Sequence, residues 1–143
     1  MSLIRSSQKE DLLKKVPLFS SLSKRHLREI GEHADQVQVE TGKVLAEQGQ
    51  KGWEFIFIVE GQARVRKDGK VIRQLSGGDF FGEISLIDGK PRTASVTAET
   101  DMTALIVHKP SFDHLLNTTP GLQKKILISL CDYIREPEKA VNI

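Results

Sequence analysis

With one cysteine, Cys131, among 143 residues, the chain has no intramolecular disulfide to staple it. A packed core must hold the fold, and a chain of this length forms one without bridges or a structural metal. Cys131 lies in an apolar stretch and is expected to be a small buried hydrophobe, compatible with a reducing compartment. No apolar run approaches the roughly 20 residues that span a bilayer, and the N-terminus lacks the apolar core of a secretory signal. A soluble, cytoplasmic chain is therefore expected. Charge of one sign is also scarce: 21 Lys+Arg oppose 19 Asp+Glu, a net +2 with the signs interspersed. Without a basic field, direct nucleic-acid binding is not expected, and any anion must be held by local geometry.

Catalytic signatures are missing too. There is no P-loop and no Gly-x-Ser-x-Gly elbow. His26, His33, His108 and His114 offer no His-x-His or His-Glu-x-x-His spacing for a metal. Gly77-Gly78-Asp79-Phe80-Phe81 superficially resembles the Gly-Gly-Asp-Glu-Phe signature of diguanylate cyclases, but Phe80 stands where the acidic residue belongs. The chain is expected to be no enzyme and to carry no metal or cofactor.

What is present divides into three stretches. Helical spacing predicts helices within 8–33: Gln8 to Val16 is ended by Pro17, and a second helix is capped by Ser23. From Val37 to His108, short runs rich in β-branched and aromatic residues are punctuated by Gly and Asp, which predicts strands near 37–40, 43–46, 54–60, 62–67, 70–75, 95–99 and 102–108. Asp68-Gly69, between two such runs, suits the positive φ values of a two-residue hairpin turn. Many closely spaced strands favour a sandwich or barrel over a parallel α/β sheet. Helical spacing returns over 110–136, with a break at Thr118-Thr119-Pro120-Gly121 and a stop at Pro137. One domain, 1–143, is expected, monomeric or weakly dimeric.

The interruption in the strand region, Ser76 to Ala94, holds four of the 11 glycines and is too long for a default connection. Gly82 allows close backbone approach, and Glu83 to Ile87 can form one helical turn whose N–H groups meet an anion. Arg92 offers two parallel hydrogen bonds to phosphate oxygens. A carboxylate beside a phosphate site makes sense if Glu83 accepts from a hydroxyl fixed nearby. A 3′,5′-cyclic nucleotide has that arrangement, since its phosphate only accepts while its ribose 2′-hydroxyl donates. The plainer alternative is a loop salt bridge between Glu83 and Arg92.

The run Phe81-Gly82-Glu83-Ile84-Ser85-Leu86-Ile87-Asp88-Gly89-Lys90-Pro91-Arg92-Thr93-Ala94-Ser95-Val96 closely resembles the phosphate-binding cassette of the cyclic-nucleotide-binding domain family. That family includes the catabolite activator protein, protein kinase A regulatory subunits, and cyclic-nucleotide-gated and pacemaker channels. The resemblance extends across nearly the whole chain. It implies a mainly β fold, an antiparallel β-roll (a jelly-roll-like barrel) flanked by N- and C-terminal helices, with the cassette inside 37–108.

The same resemblance implies cyclic AMP or cyclic GMP as ligand, with Glu83 on the ribose and Arg92 on the phosphate. Gly82, Ile84, Ser85 and Ala94 and the Thr93 hydroxyl are the implied helpers. It further implies a final helix that closes over the base and transmits occupancy to an effector domain or protein, with Leu127, Leu130, Tyr133, Ile134 and Arg135 as lid candidates. Thr93 permits guanine without requiring it, so cyclic AMP is the expected main ligand. One departure stands out: Trp53 occupies a position where members often have Asp. The rival expectation is a scaffold that keeps the fold, senses nothing and binds only protein.

Overall fold

The computed structural model describes residues 3–137, so both ends of the expected 1–143 domain lie outside the described residues. The chain opens with α1 (Ser6–Leu13), a 3-10 turn (Pro17–Phe19) and α2 (Lys24–Glu32). Strands β1 (Ala34–Val39), β2 (Val44–Ala46), β3 (Glu54–Glu60), β4 (Gln62–Lys67), β5 (Lys70–Ser76) and β6 (Phe80–Phe81) follow. After α3 (Glu83–Asp88) come β7 (Ser95–Ala98), β8 (Met102–His108), α4 (Lys109–Thr118) and α5 (Leu122–Arg135).

The strands form two four-stranded sheets, ordered β1-β8-β3-β6 and β2-β7-β4-β5. All of their pairings are antiparallel. Together with the flanking helices this is the β-roll architecture.

β3 shows why a continuous apolar run can still obey the two-residue period of a strand. Phe55 and Phe57 point into a cluster with Leu18, Phe19, Phe112 and Tyr133, whereas Ile56 and Ile58 point between the sheets at Val65, Leu75, Val96 and Ala104. β8 divides likewise, with Leu105 and Val107 toward the helices and Ala104 and Ile106 toward the opposite sheet. The β3–β8 pair is thus a wall shared by two cores. Even the two-residue β6 splits, Phe80 joining the helical core and Phe81 the inter-sheet core.

The turn between β4 and β5 has Asp68 at φ 52° and Gly69 at φ 80°, the positive pair that a two-residue hairpin demands. The backbone N–H of Asp68 donates to Gln48 Oε1 (3.0 Å), and Gln48 Nε2 donates to the Asp68 carboxylate (2.8 Å). That pair of bonds ties the hairpin tip to the loop before β3.

Several expectations need adjustment. α1 ends at Leu13 and not at Val16, whose ψ of 121° is the extended geometry that Pro17 imposes on its predecessor. β1 begins at Ala34, opposite Val107, because α2 has already ended at Glu32. β6 was not expected: two residues are too few for a periodic signal, and pairing with Ile56 and Phe57 defines the strand. Cys131 is exposed on α5, not buried.

Phe55 is sealed from solvent, with its ring 5.3 Å from Phe19 and edge-on to it. Phe55→Ala is expected to cost about 3 to 5 kcal/mol through lost burial and an unfilled cavity. Urea unfolding monitored by circular dichroism checks this, and a loss under about 1 kcal/mol would show that the helices do not depend on this wall.

Candidate functional site

Strand β6 delivers the chain into Gly82, whose φ of 90° belongs to the left-handed region that L side chains rarely adopt. A Cβ here would also lie 2.5 Å from the Glu54 carbonyl oxygen and 2.6 Å from Arg92 Nη1. α3 starts at once, its far end closed by Gly89 at φ 65° and by the Lys109 ammonium, which donates to the Leu86 carbonyl (2.9 Å). Leu86 anchors this short helix in the helical core.

Arg92 is 4% exposed. Its backbone closes a small ladder with the loop before β3: Arg92 N–H donates to Gln50 O (2.8 Å) and Gly49 N–H to Arg92 O (2.9 Å). The guanidinium donates through Nη2 to the Glu54 carbonyl (2.6 Å) and through Nη1 to Ser85 Oγ (3.3 Å), and lies 6.0 Å from the Phe81 ring centroid. Gly52 makes room for it, since a Cβ there would fall 2.2 Å from Arg92 Nε. Burial works against the guanidinium's charge, and the Glu54 and Glu83 carboxylates counter that.

Glu83 has no solvent exposure. Its Oε2 accepts from the Tyr133 hydroxyl (3.1 Å), and that hydroxyl accepts from the Leu18 N–H (3.0 Å) in the 3-10 turn. Among the described residues Oε1 has no hydrogen-bond partner. Glu83 forms no ion pair among them either, so the loop salt bridge with Arg92 is not what the structure contains. Desolvation pushes the carboxyl up from 4.5 to about 7, against its own amide, the Tyr133 hydroxyl and the Arg92 charge, all of which pull it down.

Of the cassette residues named from sequence, the structure sets Gly82 and Ser85 directly against Arg92. Gly82, Ser85 and Ala94 are buried, Ile84 packs partly against the helical core, and Thr93 is exposed at the surface. The five lid candidates occupy different surroundings: Leu127, Ile134 and Arg135 are exposed, Leu130 is half-buried against the helical core, and Tyr133 is buried on Glu83. Trp53 is half-exposed with the Lys51 ammonium 5.9 Å from its ring centroid, and both line an open cleft of about 300 Å³ with Arg92 and Glu54. Sequence reasoning missed Gly52, the Glu54 carbonyl and the Tyr133–Glu83 bond. Glycine punctuation before β3 was the one available signal, and it did not say what the glycine faces.

The raised Glu83 carboxyl has a consequence for stability. Below about 4.5 the group is protonated in folded and unfolded chains alike and has no effect. From there to about pH 7 the folded state holds the proton more tightly, so stability falls as pH rises, and the full penalty is present above 7. In the ligand-free protein, Glu83→Gln is expected to gain roughly 1 to 3 kcal/mol relative to wild type between pH 5 and pH 8. Urea titrations at both pH values check this, and equal pH dependence in the two proteins would move the proton away from Glu83.

Comparison with known proteins matches the geometry. Residues 36–119, from β1 to the end of α4, match the family described as "Cyclic nucleotide-binding domain". The chain is 37% identical over 116 residues to a cAMP-dependent protein kinase regulatory subunit of Schizosaccharomyces pombe, covering 80% of this chain and 28% of that protein. It therefore spans under a third of the curated relative's length. Among solved structures, cAMP-bound PfPKA-R (141–441) superimposes with a TM-score of 0.67 at 26% identity, over 87% of this chain and 47% of that one. The N-terminal domain of a transcriptional regulator from Streptomyces coelicolor A3(2) gives 0.80 at 25% identity, over 93% and 99%. The family is one of binding domains and not of catalysts. With a β-roll, a glycine-opened α3 and a buried Glu83 and Arg92 nine residues apart, all within or beside a family match covering more than half its length, the chain belongs to the cyclic nucleotide-binding domain family.

Proposed function

We propose that the domain binds a 3′,5′-cyclic purine nucleotide, cyclic AMP in first place, and reports its occupancy to an effector. One observation carries the reading: Glu83 Oε1, sealed in the core without a donor among the described residues, lies on the same short segment as a buried guanidinium. An unmet buried acceptor is costly, and a ribose hydroxyl delivered there relieves the cost. Arg92 takes the phosphate, helped by the amides of Gly82, Ile84, Ser85 and Ala94 and by the Thr93 hydroxyl. The cAMP-bound structural neighbour supports cyclic AMP. Thr93 is permissive toward cyclic GMP, since one neutral hydrogen bond supports a several-fold preference and not exclusion.

The regulatory-subunit relatives support a regulatory role, with a protein kinase as the class of effector. Helix α5 is the element assigned to transmission. Leu127, Ile134 and Arg135 stand ready on its exposed side, and Leu130 and Tyr133 on its packed side. A ligand shifts such an equilibrium only through contacts that differ between two states, so α5 must engage the nucleotide or the Glu83 carboxylate in one state more than in the other.

Two affinity measurements test the site. Arg92→Ala is expected to weaken cyclic AMP at least 30-fold in calorimetry, because it leaves a phosphate without its charged partner. Binding within three-fold of wild type would remove Arg92 from the site, and no binding of cyclic AMP or cyclic GMP to wild type would leave the scaffold reading in its place. For Glu83, 2′-deoxy cyclic AMP is expected to bind wild type roughly ten-fold more weakly than cyclic AMP, a difference that Glu83→Ala abolishes. A 2′-deoxy penalty of equal size in both proteins would give Glu83 another role.

A further inference from the structure

Tyr133 entered as a candidate to cover the base, yet its hydroxyl is spent elsewhere. It sits between a donor fixed by the backbone, the Leu18 N–H at 3.0 Å, and an acceptor, Glu83 Oε2 at 3.1 Å. A phenol has one proton. Because Leu18 can only donate, the hydroxyl accepts from Leu18 and its own proton points at Glu83. The direction of the chain Leu18 to Tyr133 to Glu83 is therefore set by the backbone of the 3-10 turn. Burial first, then the neighbouring Glu83 carboxylate, push the Tyr133 phenol well above its ordinary value, so it stays protonated and keeps that direction.

This has a consequence for the carboxylate. Oε2 is committed as an acceptor, so any proton Glu83 carries must sit on Oε1, and any group that Glu83 receives must arrive there as well. Among the described residues, Oε1 is the carboxylate atom without a partner. The titratable and charged groups acting on Glu83 are Tyr133 from α5 and Arg92 from the segment before β7. Among the described residues, only the first is hydrogen-bonded to it.

We propose that Tyr133 is the positioning residue of the sugar-hydroxyl site: by pinning Oε2 it presents Oε1 to the ligand, and through Leu18 it makes the N-terminal 3-10 turn a part of that site. The proposal rests on the assignment of Glu83 to the ribose made above. It extends that assignment from α3 to α5 and to a turn some 65 residues upstream in sequence. A ligand that draws on Oε1 alters the strength with which Oε2 accepts from Tyr133, so two elements outside the cassette feel occupancy through one bond.

Tyr133→Phe removes the hydroxyl and keeps the ring in the helical core. Its affinity for cyclic AMP is expected to fall about ten-fold, with 2′-deoxy cyclic AMP bound as well as by wild type, because only the first ligand uses Oε1. The pH midpoint for cyclic AMP binding should rise, since Glu83 loses a donor that favours its ionised form. In a double-mutant cycle with Glu83→Gln the effect of Tyr133→Phe should vanish. An equal loss for both nucleotides, with an unmoved pH midpoint, would reduce Tyr133 to a packing residue and overturn the proposal. Wild-type discrimination carried over unchanged into Tyr133→Phe would overturn it too while leaving Glu83 in place. Failure of wild type to distinguish the two nucleotides overturns the ribose assignment itself. Melting of the ligand-free variant separates these outcomes from misfolding, and a variant with a wild-type melt is the one titrated.

Discussion

A buried guanidinium organises this end of the molecule. Arg92 cannot leave water without donors being met and space being made, and both requirements reach across the sequence. The Glu54 carbonyl and the Ser85 hydroxyl accept from it. Gly52 and Gly82 clear the volume it fills, and its own backbone is laced to Gly49 and Gln50. The loop before β3, the start of α3 and the return into β7 are consequently one unit. None of the three is a regular element on its own scale, and a side chain holds them together.

That unit stands on a rigid support. β3 and β8 present one face to the helices and the other to the second sheet, so the wall beneath the cassette is packed from both sides. The cassette itself straddles the wall, Phe81 on one side and Leu86 on the other. Leu86 and the Glu83–Tyr133 bond join α3 to the same core that holds α5 and the 3-10 turn, the two elements that share Tyr133.

How much of this was legible follows from the range of each signal. Strand periods, the Asp68-Gly69 turn and the stop at Pro137 are statements about neighbours in sequence, and the structure reproduces them to within a few residues. Glu83 and Arg92 stood out because their chemistry is odd for a connection of that length. Helical spacing places Tyr133 on the last helix, but nothing near it in sequence says that its hydroxyl meets a carboxylate 50 residues away. Gly52 read as punctuation and proved to be clearance for a side chain 40 positions on. β6 is a strand only because β3 offers it partners. Cys131 shows the reverse: an apolar run suggested burial, but a helix turns one residue in such a run outward, and the face of α5 that carries Cys131, Leu127 and Ile134 is the outward one.

The tie between Asp68 and Gln48 gives the hairpin a use that its distance in sequence conceals. Its tip is an exposed surface turn of the kind that tolerates insertions. Yet two hydrogen bonds fasten it to Gln48, next to the residues that clasp the Arg92 backbone. An optical label grafted beside Gly69 would thus be mechanically geared to the loop that clasps Arg92, an attachment point for a reporter already present in the native chain.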